Sequence, residues 1–291
     1  MDYRKKFLVE PGARVNLNKI DPDYKGRDLS KKSAESAIEK YCGKLKSLQQ
    51  TLYAEKKHCL LVVVQALDAG GKDGTINHVM GVLNPQGTKV TSFKQPNAQE
   101  LAHDFLWRVH PHAPARGWIG VFNRSHYEDV LISRVHHLVP REVAAERYQS
   151  INDFERLLRK QNDTHIVKFF LNISRKEQLR RFAERLDDPA RNWKISESDY
   201  KEREFWDDYM SAYEEVFEKT SKKNSPWYII PANHKWFRNL AVSQILASTM
   251  EDLGMKLPKP TVDLEAIRER YHQEQEAAPK TDRQQAKERQ S

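Results

Sequence analysis

Apolar runs alternate with amphipathic segments along most of the chain. The first run, Leu60 to Val64, contains no polar position and is rich in β-branched residues, which indicates a strand buried on both faces of a parallel sheet. Further strands are predicted at 89–93, 118–122, 165–173 and 227–231. Helical periodicity covers 30–55, 72–82, 97–109, 126–137, 141–161, 175–186, 199–219 and 235–251. This alternation predicts an α/β fold: a three-layer αβα sandwich around a parallel five-stranded sheet.

The two ends of the chain differ from this alternating region. Residues 1–29 are mixed and turn-rich, and we interpret them as an N-terminal arm that lies on the domain. The main domain then spans residues 30–262. Residues 263–291 are rich in Glu, Gln, Arg and Lys and poor in apolar side chains, so they predict a charged C-terminal tail, either a solvated helix or a disordered segment.

Charge and cysteine content narrow the class of protein. The net charge is +8, but residues 263–291 hold six Lys/Arg and seven Asp/Glu, so the positive excess belongs to the rest of the chain. A basic folded surface favours a polyanionic partner, although a merely solubilising surface has the same composition. Two cysteines, Cys42 and Cys59, exclude a disulfide framework, and neither a signal peptide nor a membrane span is visible. We therefore expect a cytoplasmic protein without membrane attachment.

A glycine-rich segment follows the first predicted strand, at the edge where parallel sheets bind ligands. It reads ALDAGGKDG over residues 66–74 and precedes a helix. The P-loop pattern G-x-x-x-x-G-K-S/T is similar, but Ala66 replaces its first glycine and an aspartate replaces its hydroxyl residue. Backbone N–H groups of such a loop close around phosphate oxygens, and its lysine adds a mobile charge. The residues predicted to bind phosphate here are Gly70, Gly71, Lys72, Asp73 and Gly74.

Two carboxylates, Asp68 and Asp73, flank this predicted anion site. They would repel a phosphate unless a divalent cation lay between them. Because the hydroxyl that usually ligates Mg²⁺ in a P-loop is missing, we predict that Asp68 helps to hold Mg²⁺, with Mn²⁺ as an alternative ion. The competing interpretation is an ordinary glycine-rich turn in which Asp73 only favours the helix N-terminus.

Other strand ends supply further candidates. Asn123 and Arg124 end the third strand, and Glu128 lies one helical turn later, where it can replace the second carboxylate of many P-loop kinases. Arg124 suits bidentate phosphate binding, although a surface salt bridge is the alternative. Lys94 ends the second strand, and Arg108 follows it closely enough to reach the same cleft.

A third basic cluster lies in the second half of the chain. Arg181 and Arg185 share one helix face, and Lys194 lies in the loop that follows. We expect the segment from about 175 to 200 to form a lid that closes over phosphates, neutralises their charge and excludes water. A solvated basic helix face is the competing interpretation.

Together these motifs resemble the family 2 polyphosphate kinases, from about residue 8 to residue 260. The most specific segments are ALDAGGKDG (66–74), TSFKQP (91–96), HDFLWR (103–108), FNRSHYE (122–128), PWY (226–228) and PA (231–232). The string from 123 to 128 is similar to the class III subgroup, in which both AMP and ADP accept phosphoryl groups from polyphosphate.

The resemblance implies a P-loop kinase fold with a helical lid, bound Mg²⁺, a basic channel for inorganic polyphosphate and a homo-oligomer, a tetramer or dimer. It assigns metal or acceptor-orienting roles to Asp68 and Glu128 and phosphate-holding roles to Lys72 and Arg124. The arginines of the predicted lid would cover the phosphates. The implied reaction moves the terminal phosphoryl group of polyphosphate reversibly to AMP and ADP, giving ADP and ATP.

Three alternatives stay open. The first is an ATP-dependent nucleotide or small-molecule kinase on the same fold. The second is a nucleic-acid-binding protein, although no helix-turn-helix, zinc or RNA-binding motif is present. The third is an inactive P-loop relic. The sequence also leaves open which side of the cleft holds the nucleotide and which the polyphosphate.

Overall fold

The structure, a computed structural model, describes residues 1–277 and is built on one central sheet. Its strands are β1 (Leu8–Val9), β2 (Cys59–Gln65), β3 (Thr88–Ser92), β4 (Ile119–Asn123), β5 (Thr164–Asn172) and β6 (Trp227–Pro231). They lie in the order β1-β6-β5-β2-β4-β3. Strands β2 to β6 are parallel, as the apolar runs predicted, and β2 is central between β4 and β5.

The prediction of a purely parallel five-stranded sheet was wrong at one edge. A sixth strand, β1, comes from the N-terminal arm and pairs antiparallel with β6, where Leu8 lies opposite Tyr228 and Val9 opposite Trp227. Two residues are too few to produce a period-2 pattern, so no pattern in the sequence predicts this strand.

Two groups of helices cover the sheet. The helices are α1 (Tyr3–Phe7), α2 (Lys31–Glu55), α3 (Lys72–Thr75), α4 (Ala98–Leu101), α5 (Glu128–Val135), α6 (Arg141–Asn162), α7 (Arg175–Asp187), α8 (Glu197–Glu204), α9 (Trp206–Thr220), α10 (Lys235–Glu251) and α11 (Leu264–Ala277). Helix α2 packs along α10, whereas α5, α6 and α9 pack on one another. Every residue of β2 is buried, so both faces of the sheet are covered, and the three-layer α/β architecture is confirmed.

Three predicted helices are shorter or more interrupted than their periodicity indicated. The helix expected over 72–82 is α-helical only in α3, Lys72–Thr75, and continues as a π-helix over Ile76–Met80. The helix expected over 97–109 ends at Leu101, because the Asp104 carboxylate accepts the N–H of Leu106 at 3.0 Å and stabilises a local turn instead. The helix expected over 199–219 is split into α8 and α9 at Phe205. By contrast, α2 begins as predicted, with Ser30 accepting the N–H of Ser33 at 3.1 Å.

The two ends of the chain are organised differently. Residues 1–256 form one compact unit, in which Tyr3 and Phe7 of the N-terminal arm pack on Phe237 of α10. A second unit begins at Leu257, and its described part contains α11, in which the side chains of residues 264–276 are exposed. Residues 278–291 of the predicted tail lie outside the described residues. None of the helices within residues 1–277 has the length and hydropathy that crossing a bilayer requires.

Candidate active site

The segment 66–74 joins β2 to α3, the position expected for a phosphate-binding loop. Gly71 has a φ of 101°, a left-handed conformation that side chains rarely adopt. A Cβ on Gly71 would collide with the Arg238 guanidinium, and a Cβ on Gly74 would lie 3.2 Å from its Nη2. A Cβ on Gly70 would lie 2.8 Å from the carbonyl oxygen of Leu67. These glycines therefore let a tight loop approach a buried arginine closely.

Lys72 opens the helix after this loop and folds back over it. Its ammonium donates to the carbonyl oxygens of Ala66 at 2.7 Å and Leu67 at 3.4 Å. Burial, together with the nearby Arg124 cation, lowers the pKa of Lys72 to about 8 although Asp68 and Glu128 favour the charged form. The loop carbonyls thus hold the ammonium against the loop.

Arg124 lies between two carboxylates. Its Nη2 donates to Asp68 Oδ1 at 2.8 Å, and its Nη1 lies 3.4 Å from Glu128 Oε2. Burial disfavours the charged form of this guanidinium, but the attraction of Glu128 and Asp68 is stronger and raises the pKa of Arg124 above its ordinary value. The residue has a φ of 61°, and its N–H donates to the carbonyl of Val64 at 3.1 Å. This strained backbone aims the side chain from the end of β4 back across the loop.

Asn123, the last residue of β4, contacts the loop directly. Its side-chain Nδ2 donates to Asp73 Oδ1 at 2.8 Å. The amide therefore fixes a carboxylate of the phosphate loop against the neighbouring strand end. The sequence placed both residues in the site but gave no indication that they contact each other.

Most of the predicted phosphate ligands line one open cleft. It has a volume of about 820 Å³ and contains the loop together with Lys94, Arg185 and Lys194. Nine Lys or Arg residues line it against four Asp or Glu residues, so its walls are strongly positive. Within it, Arg185 donates to the carbonyl of Lys194 at 2.9 Å, and the Lys194 ammonium lies 4.9 Å from the Trp193 ring centroid.

Two predicted phosphate ligands, Arg108 and Arg181, are buried and already hold backbone carbonyls. Arg108 is 8% exposed and lies outside the residues that line the cleft, donating to the carbonyl of Lys94 at 2.8 Å. Arg181 is 5% exposed, and burial lowers its pKa. Its Nη1 donates to the carbonyl of Ala69 at 2.9 Å, and its Nε donates to Glu177 at 2.7 Å. In this arrangement both arginines support the wall of the cleft.

Arg238, on the first turn of α10, is a site residue that the sequence analysis missed. It is 2% exposed, and its Nε and Nη2 donate to Asn239 Oδ1 at 3.1 and 2.8 Å. Burial, followed by repulsion from Arg181, lowers the pKa of Arg238 to about 9. Within residues 1–277 it forms no ion pair with a carboxylate. A buried cation of this kind beside a glycine loop is suited to an anionic ligand.

A weak signal for Arg238 was present in the sequence. The strand predicted at 227–231 ends just before residues 232–235, which precede Arg238 by about one helical turn, and ligands of parallel sheets bind at such carboxyl ends. No local motif distinguishes this arginine from others on amphipathic helices, because the loop it contacts lies far away in the sequence.

Asp68 and Glu128 fit the donor set that Mg²⁺ uses. This ion commonly binds one or two carboxylates and completes its octahedron with water and substrate phosphates. Both side chains converge on the same guanidinium and line one small pocket beside the loop. In residues 1–277 this region has no set of three converging acidic, His or Cys ligands, so water and phosphate oxygens would supply the rest.

Comparison with known proteins confirms the resemblance. The family model for polyphosphate kinase 2 (PPK2) matches residues 28–258. The AMP/ADP-polyphosphate phosphotransferase of Meiothermus ruber is 48% identical over 264 residues, covering 90% of this chain and 98% of that protein. The ADP-polyphosphate phosphotransferase of Rhodopseudomonas palustris is 46% identical over 273 residues, covering 88% and 93%. The crystal structure of Polyphosphate Kinase 2 from Arthrobacter aurescens TC1 has a TM-score of 0.88 at 42% identity, covering 91% of this chain and 95% of that one. The chain belongs to the polyphosphate kinase 2 family.

Proposed function

We propose that this protein transfers the terminal phosphoryl group of inorganic polyphosphate to AMP and to ADP, giving ADP and ATP reversibly. The observation that carries the proposal is the cleft around residues 66–74, with nine basic and four acidic side chains. A linear chain of phosphates matches that excess of positive charge along an open groove. The names of the Meiothermus and Rhodopseudomonas relatives support AMP and ADP as acceptors, as does the class III-like string at 123–128.

Binding of the donor would use the loop and the two cations that meet it. The glycines at 70, 71 and 74 leave no side chain between the loop backbone and phosphate oxygens, and the N–H groups of Gly71 and Gly74 are the proposed donors because that of Gly70 donates to the carbonyl of Leu67 at 3.0 Å. Lys72 would exchange its carbonyl partners for phosphate oxygens, and the Nη1 of Arg238 lies against the same loop. Such preorganised donors hold the transferring group in line with the acceptor and cost no reorganisation during transfer.

Arg124 and its two carboxylates would act at the transferring phosphoryl group. Asp68 and Glu128 are the proposed ligands of Mg²⁺, for which Mn²⁺ is the second candidate. Bound Mg²⁺ neutralises charge that develops on phosphoryl oxygens. Arg124 would bind those oxygens bidentately, while Asn123 keeps Asp73 beside the loop. No strong base is required, because the accepting phosphate oxygen is already ionised.

The segment from about 175 to 200 is proposed as a lid. It carries Arg185 and Lys194 along the cleft, and Trp193 is 78% exposed beside them. Closing these cations over the phosphates would exclude water and so favour transfer over hydrolysis. Arg108 and Arg181 would contribute by holding the carbonyls of Lys94 and Ala69 in place.

A coupled assay tests the proposal. With AMP, polyphosphate and Mg²⁺, we expect ADP first and then ATP, and no ATP when polyphosphate is omitted. Lys72→Ala should abolish this activity, whereas Lys57→Ala should not, because that exposed lysine lies at the opposite end of β2. Turnover with ATP as donor and without any dependence on polyphosphate would favour the alternative, an ATP-dependent nucleotide or small-molecule kinase.

We further propose a cytoplasmic homo-oligomer, a tetramer or dimer, that has no nucleic-acid partner and no membrane attachment. Both cysteines are free and buried, which suits a reducing compartment. Residues 30–262 are the proposed kinase domain. Light scattering coupled to gel filtration would give the number of chains, and a gel-shift measurement with DNA and RNA would test the absence of nucleic-acid binding.

A further inference from the structure

Three side chains with metal-binding atoms meet where β2 and β5 begin. His58 immediately precedes β2, and Asp163 and His165 flank the first residue of β5. Their ligand atoms all lie within 4.8 Å of one another. His58 Nδ1 is 2.6 Å from Asp163 Oδ2, and His165 Nε2 is 3.7 Å from Asp163 Oδ1. Among residues 1–277, no other three His, Cys, Asp or Glu side chains converge in this way.

The fold holds these side chains together before any ligand arrives. The parallel register pairs Cys59 with Thr164, so the residues just before the two strands lie side by side. Asp163 has a φ of 51° and ends α6, so its carboxylate turns towards the strand ends. The two imidazole rings lie 5.4 Å apart at an interplanar angle of 70°. The three ligands thus come from two segments fixed by neighbouring central strands.

The spacing fits a small tetrahedral ion. With bonds of about 2.0–2.2 Å to His and Asp, tetrahedral Zn²⁺ places its ligand atoms about 3.3 Å apart, a value between the two contacts seen here. His165 Nε2 has no hydrogen-bond partner within residues 1–277, although solvent hardly reaches this atom. His58 and His165 are half-buried and Asp163 is exposed, which leaves access for an ion and room for water as a fourth ligand.

We propose that His58, Asp163 and His165 form a binding site for a borderline transition-metal ion such as Zn²⁺. Two imidazoles and one carboxylate select Zn²⁺, Ni²⁺ or Cu²⁺, whereas the carboxylates beside the phosphate loop suit Mg²⁺. The sites differ in place as well as in chemistry, because the seven residues of β2 separate them by about 23 Å. An ion here ties β2 to β5 and stabilises the sheet without taking part in phosphoryl transfer.

The first experiment measures binding to the full-length protein after treatment with a chelator. Titration calorimetry with Zn²⁺ should show one ion per chain, and Zn²⁺ should raise the melting temperature by several degrees, since it binds the folded state. Cu²⁺ at this site should give an electron paramagnetic resonance spectrum with coupling to imidazole nitrogens. That signature separates the site from the carboxylates of the active site.

Variants then locate the ion. His58→Ala and His165→Ala should each weaken Zn²⁺ binding by more than about tenfold and remove the rise in melting temperature, with polyphosphate-dependent turnover unchanged. The control variants Asp68→Asn and His272→Ala should still show Cu²⁺ coupled to imidazole nitrogens. A Cu²⁺ spectrum of the unaltered protein without nitrogen coupling, or Zn²⁺ binding that survives both histidine variants, would overturn the proposal. The spectrum decides the question even where a variant does not fold.

Discussion

Two fully buried cations, Lys168 and Arg238, have opposite surroundings. The Lys168 ammonium donates to Glu155 at 2.7 Å and to the carbonyl of Thr220 at 2.9 Å, so its charge is compensated. The Arg238 guanidinium donates to the side-chain amide oxygen of Asn239, and within residues 1–277 it pairs with no carboxylate. Burial of an uncompensated charge lowers the free energy of unfolding, so we infer that Arg238 serves a ligand rather than the fold.

This contrast predicts that the two positions respond differently to the same substitution. Lys168→Met should lower the free energy of unfolding by about 3–5 kcal/mol, because it leaves Glu155 buried without its counter-charge. Arg238→Met should leave that free energy unchanged or higher, yet lower kcat/KM for polyphosphate by about 100-fold. Urea denaturation and steady-state kinetics measure both quantities. A large loss of stability in Arg238→Met would contradict a ligand-binding role.

The pKa of Lys72, about 8, predicts an alkaline limit for the free enzyme. As pH rises through that value the ammonium becomes a neutral amine, so kcat/KM for polyphosphate should fall. The free energy of unfolding should change in the opposite sense. Between about pH 8 and pH 10.5, the ordinary pKa of lysine, Lys72 is protonated in the unfolded chain but neutral in the folded protein, so its contribution to the free energy of unfolding rises with pH. A pH–rate profile measures the limit, and Lys72→Arg should move it upward. An unmoved limit would assign the titration to another group.

At the scale of elements, the helix that carries Arg238 is held by the N-terminal arm. Phe237 of α10 makes edge contacts with Tyr3, Phe7 and Tyr24, whose ring centroids lie 5.5, 6.0 and 5.5 Å away. Strand β1 extends the same arm along β6. The arm therefore fixes the start of α10, and with it one wall of the cleft.

We expect Phe7→Ala to lower the free energy of unfolding by about 3–5 kcal/mol, because it empties a buried aromatic position. Lys5→Ala, an exposed position on the same short helix, should change it by less than about 0.5 kcal/mol. Chemical denaturation compares the two. Equal stability of both variants would mean that the arm contributes little to the domain.

The sequence predicts most elements because their signals are local. Apolar runs lie within β2, β4, β5 and β6, and Ser30 marks the start of α2. Prediction from the sequence fails where an element is very short or depends on a local turn or on tertiary packing. Strand β1 has only two residues, and the helix after Asn97 is replaced by a turn at Asp104. Asp68, Arg124 and Glu128 could be grouped from strand ends, but the contact of Arg238 with the loop depends on the packing of α10.

At the scale of the whole molecule, positive charge is concentrated in the cleft proposed to bind phosphates. The net charge is +8, and the cleft alone has five more basic than acidic side chains. Long-range attraction of this kind accelerates encounters with a polyanion and is screened by salt. AMP carries far less charge than polyphosphate, so the two substrates should differ in their response to ionic strength.

Raising the salt concentration from about 0.05 to about 0.5 M should therefore increase KM for polyphosphate more strongly than KM for AMP. Lys94→Ala should reduce the slope of this dependence, because it removes a cation from the cleft, whereas Lys57→Ala should leave the slope as it is. Kinetics at constant free Mg²⁺ give both slopes. Identical slopes for the two substrates would refute a charged channel.

The placement of Arg124 between Asp68 and Glu128 has a thermodynamic consequence. In the structure the single guanidinium pairs with both carboxylates and offsets part of their negative charge, which weakens their attraction for a cation. Phosphate oxygens that displaced the carboxylates from the guanidinium would restore the affinity of these proposed ligands for Mg²⁺, and the two ligands would then bind with positive coupling of equal size in both directions. Arg124→Gln should therefore bind Mn²⁺ more tightly than the unaltered protein when no polyphosphate is present, while losing activity, as paramagnetic resonance and the coupled assay would record. On this proposal the same arginine would keep donor and metal from binding separately.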